Sequence, residues 1–237
     1  MNPRTALGVF AAFSLARAAL APAFDLMPQC AYYFTYAEHP ALSYYDHPPM
    51  IGWLLWLSAA LFGKSTLAVR GAAFATTFAT QLALWALARR VAGPEVAARS
   101  LALFTVGGVA LLLSWIAVPD VPLLLFWALA LLTLHRAIFD EPSAGVSRVA
   151  WLAGGALMGL AFLSKYTALF LPGGLLLFLL LSREHRRHLR TPWPWAALAV
   201  AQLVSLPVYV WNARHGFASF SYQTAGRAAE LRFDPGD

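Results

Sequence analysis

The sequence predicts an all-α polytopic membrane protein, and three observations carry that prediction. Apolar residues make up 60% of the chain and charged residues only 12%, against roughly half and a quarter in an ordinary soluble domain. Apolar runs close to the roughly 20 residues that cross a bilayer as helix recur from end to end, and they lack the alternation of barrel strands. The arginines, which drive a net charge of +6, collect in short stretches between those runs. That placement is the signature of membrane topology rather than of nucleic-acid binding.

In chain order, spans are expected near residues 5–24, 66–88, 97–116, 121–138, 150–164, 167–182 and 194–212, about seven in all. The first carries Arg17 and lacks a convincing small-residue cleavage site, so it reads as a retained span, with a signal peptide as the alternative. The connections holding Arg89, Arg90, Arg99, Arg136, Arg148, Arg183, Arg186, Arg187 and Arg190 are cytoplasmic by the positive-inside rule. Residues 25–65, the turn AVPDVP from Ala117 to Pro122, the turn SKYT from Ser164 to Thr167 and the tail 214–237 then face outward. The fifth and sixth spans share only 33 residues from Ala150 to Ser182, so each is short and a re-entrant pair is the alternative. The chain reads as a single transmembrane domain, 1–237. One cysteine, Cys30, excludes an internal disulfide and disfavours a cysteine-built metal site.

The first outer loop, 25–65, is too long for a turn, and its second half, PPMIGWLLWLSAALFG, is too apolar for water. Pro48 and Pro49 suit a helix start and Gly63 its end. The segment between is too short to span and rich in Trp, which reads as an interfacial helix. The preceding QCAYYFTYAEH suits another short helix with two of Tyr32, Tyr33 and Tyr36 on one face. An ordinary interfacial belt of aromatic residues is the alternative for these rings taken singly.

Polar residues gather on the same side. Asp25, Glu38, Asp46, His47, Asp120 and Lys165 fall at the outer surface, with Arg17 and Arg70 in the outer halves of their spans. Charge against hydrocarbon is costly, so such groups pair or line a wet cavity. Asp120 could instead cap a helix, and Arg17, Arg70 and Lys165 could snorkel. Together, carboxylates and cations suit an anionic group and a proton transfer. His135, His185 and His188 sit among arginines and read as solvated or headgroup-contacting side chains. The run Arg183 to Arg190 reads as an anchor to anionic lipid.

The run YYDHPPMIGWLLWLSAALFG with Val69-Arg70, the turn VPDVPLLLFWALALL, the segment LSKYTALFLP and the end VYVWNARHGFASFSYQ resemble bacterial membrane glycosyltransferases of the dolichyl-phosphate-mannose protein mannosyltransferase type. The aminoarabinose transferase of lipid A modification is a wider relative. The likeness covers nearly the whole chain and corresponds to the N-terminal half of those longer proteins. It implies a GT-C-like helical bundle with membrane-parallel helices in the first outer loop and a polyprenyl-phosphate-linked sugar donor. It further implies transfer to a glycan, lipid or protein acceptor at the outer face of a bacterial cytoplasmic membrane, with no nucleic-acid partner.

The resemblance also implies site residues. Lys165, Arg70, His47 and Arg17 would hold the lipid phosphate. Asp46 or Asp120 would act as base, with Asp25 as a stand-in one helical turn before Gln29. Gln29, Cys30, Tyr33, Tyr45 and Tyr166 would line the substrate pocket. Asp120 is also a candidate ligand for Mg²⁺ or Mn²⁺. The chain departs from the family at Gln29-Cys30, where relatives usually carry an acidic residue or pair, and a thiol of ordinary pKa about 8.5 is a poor base. Two other readings follow from the same residues: a non-catalytic relative that binds or moves a polyprenyl-linked lipid, and an ion-coupled transporter, which would also need intramembrane charge.

Overall fold

The computed structural model describes residues 2–140 and 144–226, and among these every regular element is helical. Asn2 caps α1 (Pro3–Leu20), its side chain accepting from the Thr5 amide. A 3₁₀ turn at Ala21–Ala23 then leads into the first loop. That loop holds two helices, as expected: α2 (Pro28–Glu38) and α3 (Met50–Phe62). Proline starts α2, which its fixed φ permits in a first turn. Gly63, at φ 70°, ends α3 in a backbone state closed to most residues. At 13 residues, α3 is about 20 Å long, short of the hydrocarbon layer. Lys64 Nζ donates to Glu38 Oε1 at 2.8 Å, pinning the end of α2 to the exit of α3.

The helix α4 (Thr66–Val106) is a hairpin rather than one rod, because Gly93 (φ 85°, ψ 173°) reverses the chain at the expected Arg89–Arg99 connection. Its return arm breaks at Gly107 and resumes as α5 (Gly108–Trp115). The two arms are fastened by Thr105 Oγ1 donating to Gln81 Oε1 at 2.9 Å and Thr77 Oγ1 donating to the Leu113 carbonyl at 2.8 Å. In lipid such bonds satisfy groups that water cannot reach.

Next come α6 (Asp120–Phe139), α7 (Ala144–Ser164) and, after a 3₁₀ turn at Tyr166–Leu169, α8 (Phe170–Leu181). A second 3₁₀ turn, His185–Arg190, precedes α9 (Trp193–Val204), α10 (Leu206–Arg214) and the single turn α11 (Ala218–Ser221). The core lies between α6, α7, α8 and α9, around Leu134, Trp151, Met158, Leu179 and Ala197. Glycine sets its spacing: a Cβ on Gly155 would collide with the Ala197 carbonyl, and one on Gly159 would sit 2.6 Å from Val204 Cβ. Small residues four apart let helices approach backbone to backbone, the usual way membrane helices gain packing when lipid offers no hydrophobic drive.

By length and apolar character three helices can cross a bilayer, namely α4, α6 and α7, and α9 with α10 forms a fourth as a pair bent by 47°. The seven expected spans are therefore not seven unbroken helices. The third is divided at Gly107, and the sixth has only 12 helical residues in α8. The fifth is longer than expected, since α7 starts at Ala144 rather than near Ala150.

Candidate functional site

The polar residues of the first loop, the Ala117–Pro122 turn, the Ser164–Thr167 turn and residues 219–223 meet at one end of the bundle. The first member is an ion pair. Lys165 Nζ donates to both carboxylate oxygens of Asp120, at 2.7 and 2.9 Å. Asp120 opens α6 behind Pro119 but makes no side-chain cap bond to its own helix, so the capping alternative gives way to the pair with Lys165. Lys165 is the extended residue between α7 and the following 3₁₀ turn, where the break in helix lets its stem reach across to α6.

The second member is built on Asp46. Its Oδ1 accepts a short hydrogen bond from the Tyr36 phenol, and its Oδ2 lies 4.0 Å from His47 Nε2. Tyr36 in turn stacks on Tyr44 with ring centroids 3.6 Å apart, and its hydroxyl meets that of Tyr32 at 3.2 Å. Burial first, then the bond to Asp46, push the Tyr36 phenol far above the usual tyrosine range. Burial likewise raises Tyr32 and Tyr44. Tyr36 is thus a proton donor to Asp46 at any physiological pH. Tyr33 meets the His47 ring edge-on, with centroids 5.7 Å apart.

Residues 219–223 join the two members. Ser219 Oγ and the Tyr166 hydroxyl are 2.7 Å apart, the Tyr222 ring packs on Tyr45 at 4.9 Å, and Gln223 donates to the Asp46 carbonyl. Beneath them Met50, Leu163, Val208, Tyr166 and Phe220 share one apolar cluster. Lys165 and Tyr166 are thereby held against the loop that carries Asp46. These joining residues fall in the segment expected only to be an outer tail. Its part from residue 227 onward lies outside the described residues. The motif SFSYQ was visible in the sequence, but nothing local marks Gln223 as the partner of a residue 177 positions away.

The expected pocket residues divide. Cys30 is fully buried beneath the turn, where its Sγ accepts from the Ala117 amide at 3.4 Å. Its neighbour Gln29 is exposed. Asp25 is exposed as well, and it is its backbone carbonyl that Arg70 Nη2 holds, at 2.9 Å, along with that of Phe24. Arg70 is only 6% exposed, yet its Nε and Nη1 have no protein partner. Arg17 is turned away into the packing of α1 on α5, bonding Ser114 Oγ, Ser14 Oγ and the Phe13 carbonyl. Neither arginine snorkels. Among the described residues no three His, Cys, Asp or Glu side chains gather as a metal site.

The arrangement therefore offers a cation paired to a carboxylate, a buried guanidinium with uncommitted N–H groups, and a second carboxylate with one oxygen bound and one facing a histidine. Comparison with known proteins bears on what it does. The family described as dolichyl-phosphate-mannose-protein mannosyltransferase matches residues 46–211, a stretch that includes Asp46, His47, Arg70, Asp120, Lys165 and Tyr166. Over 220 residues, 91% of this chain, the sequence is 33% identical to the lipid A galacturonosyltransferase RgtD of Rhizobium johnstonii. The match covers 45% of that relative, so the chain spans about half its length. No solved structure matches the chain.

Proposed function

From the premise that this chain belongs to the dolichyl-phosphate-mannose-protein mannosyltransferase family, we propose that it forms the transferase core of a GT-C membrane glycosyltransferase. It moves a sugar from a polyprenyl-phosphate carrier to an acceptor hydroxyl at the outer face of a bacterial cytoplasmic membrane. The observation that carries the reading is the meeting of the Lys165–Asp120 pair with the Asp46 cluster at one end of an apolar bundle. Galacturonic acid and lipid A enter as the first sugar and acceptor to try, because the similar transferase from Rhizobium is named for them.

The chemistry follows from the groups available. The acceptor oxygen attacks the sugar's anomeric carbon, the bond from that carbon to the phosphate oxygen breaks, and the polyprenyl phosphate leaves with the bonding electrons. Lys165 and the uncommitted N–H groups of Arg70 stabilise the charge that builds on that phosphate; losing one such contact costs about 10²–10³ in rate. The acceptor proton goes to Asp46 Oδ2, since Oδ1 is committed to Tyr36 and both oxygens of Asp120 to Lys165. Such a base is worth about 10²–10⁴. Asp120 holds Lys165 in place. A divalent cation fits these residues poorly, because Asp120 already binds an ammonium and belongs to no group of three or more His, Cys, Asp or Glu side chains among the described residues; the transfer is derived without one.

The test uses purified protein with polyprenyl-phosphate-linked sugars and a lipid A acceptor. Asp46→Asn should lower kcat by 10²-fold or more, and Lys165→Met should raise KM for the donor while also slowing transfer. Full turnover in Asp46→Asn would end the base assignment. One observation favours a second reading, a lipid-binding relative without catalysis: Gln29-Cys30 replaces the usual acid, and Cys30 is sealed inside. Gln29→Asp separates the two, since position 29 is exposed and accepts a carboxylate without burial cost. Donor binding without turnover in the wild type, and turnover gained in Gln29→Asp, would establish the second reading.

A further inference from the structure

An apolar groove of about 800 Å³ runs between α4, α6 and α8, from Trp127 and Phe170 below the Asp120–Lys165 pair to a mouth at the opposite end of the molecule. Along α6 it extends from Trp127 to Phe139, thirteen residues with a rise of about 18 Å between the first and the last. That length matches the depth of one leaflet, about 15 Å of a hydrocarbon layer near 30 Å thick. It is too short for a polyprenyl chain laid out along it, and it suits a single acyl chain.

The mouth of the groove is basic. Trp85 and His135 both line it. The Arg89 guanidinium stands 5.7 Å over the Trp85 ring, and Arg90 Nε donates to His135 Nδ1 at 3.0 Å. Accepting at Nδ1 leaves the neutral ring's proton on Nε2, a further donor at the mouth. Arg90 also pairs with Asp140, whereas Arg89 makes no ion pair among the described residues. Burial in a concave apolar slot with cations at one end is the complement of a lipid whose tail is apolar and whose headgroup is an anion. Gly174 keeps the slot open, since it lines the groove and a Cβ there would meet nothing within 4 Å.

We propose that this groove binds an anionic phospholipid of the leaflet at the basic end, one acyl chain along α6 and its phosphate at Arg89, Arg90 and His135. Its phosphate subsite, at the arginine end, is separate from the one at Lys165, and the proposal holds whether or not the transferase reading does.

The probes are phosphatidylglycerol, phosphatidylcholine and undecaprenyl phosphate, each titrated onto the purified full chain in detergent, with retained lipid counted by native mass spectrometry. Wild type should retain phosphatidylglycerol over phosphatidylcholine, and Arg89→Gln should reduce that preference about fivefold, the worth of one cation beside an anionic headgroup. Gly174→Trp should abolish retention of phosphatidylglycerol while leaving the lipid-free unfolding midpoint unchanged; Gly174→Leu, smaller, gives the same reading should the tryptophan disturb folding. Undecaprenyl phosphate retained by wild type and lost in Gly174→Trp, or phosphatidylglycerol retention unaltered in both glycine variants, would overturn the assignment. So would a lipid-free dimer that Gly174→Trp splits, since a second copy would then be the occupant.

Discussion

Asp46 owes its orientation to one phenol. Tyr36 donates to its Oδ1 from a nearly buried position on α2, and a hydrogen bond to a charged group contributes more than a neutral one, about 1.5–3 kcal/mol. Tyr36→Phe should therefore lower the unfolding free energy by about 1–3 kcal/mol, read by denaturant titration in detergent, and slow transfer by leaving Asp46 free to turn. The pH dependence has a definite sign. Because the folded state raises the Tyr36 pKa, its contribution is complete below the ordinary tyrosine value near 10 and declines as pH rises beyond it. Wild type should lose stability above pH 10 more steeply than Tyr36→Phe does; equal slopes would show that the phenol titrates normally. At this scale the sequence was half legible. Asp46, Asp120 and Lys165 could be singled out because charge in a hydrophobic chain needs a reason. Which group pairs with which could not, since the partners lie 45 positions apart for Lys165 and Asp120 and 177 for Gln223 and Asp46.

Among the elements, those punctuated by proline and glycine were the readable ones. Pro49 and Gly63 bound α3 within a residue or two of where turn chemistry puts them, and α2 falls on the expected QCAYYFTYAEH segment. The reversal in α4 was expected from the arginines around it, though not its pivot Gly93, and the break before α5 was missed for a physical reason: Gly107 sits in an apolar run whose hydropathy is unaffected by a backbone turn. Gly93→Ala tests the first of these. At φ 85° and ψ 173° the residue occupies a region open essentially to glycine alone, so the substitution should cost about 1–3 kcal/mol although nothing surrounds the new methyl. The α7–α9 contact is a second case, in which space and not backbone is limiting. Gly155→Ala puts a methyl into the Ala197 carbonyl and should destabilise by about 1–3 kcal/mol through overpacking. Gly173→Ala, with nothing within 4 Å, should change stability little. A thermal-shift series over the three variants checks the ordering, and an undisturbed Gly155→Ala would mean that α7 and α9 do not pack as closely as described.

The whole molecule is polar at two ends of different character, carboxylates with scattered cations at one and arginines at the other. The all-α architecture and the membrane class were fully legible, because composition and run length decide them. Sidedness was argued from arginine placement alone, and the transfer chemistry depends on it: a polyprenyl-phosphate donor used in the outer leaflet requires that Asp46 and Lys165 face away from the cytosol. Cys30 makes this testable, since the chain's one cysteine is fully buried and leaves no background for a membrane-impermeant maleimide. His39 is exposed at the site end, just past α2, and Arg186 is exposed in the 3₁₀ turn between α8 and α9. In intact cells His39→Cys should label and Arg186→Cys should not, and permeabilising the membrane should bring Arg186→Cys to the level of His39→Cys. His39 meets the Asp46 cluster only through its backbone carbonyl, which accepts from the Tyr44 hydroxyl at 3.1 Å and which cysteine retains, and Arg186 has no bond to either group, so a labelling difference reports topology and not damage to the site. The reverse pattern would put the carboxylates on the cytosolic face, where an outer-leaflet donor could not meet them, and the transfer step would have to be assigned to the other leaflet.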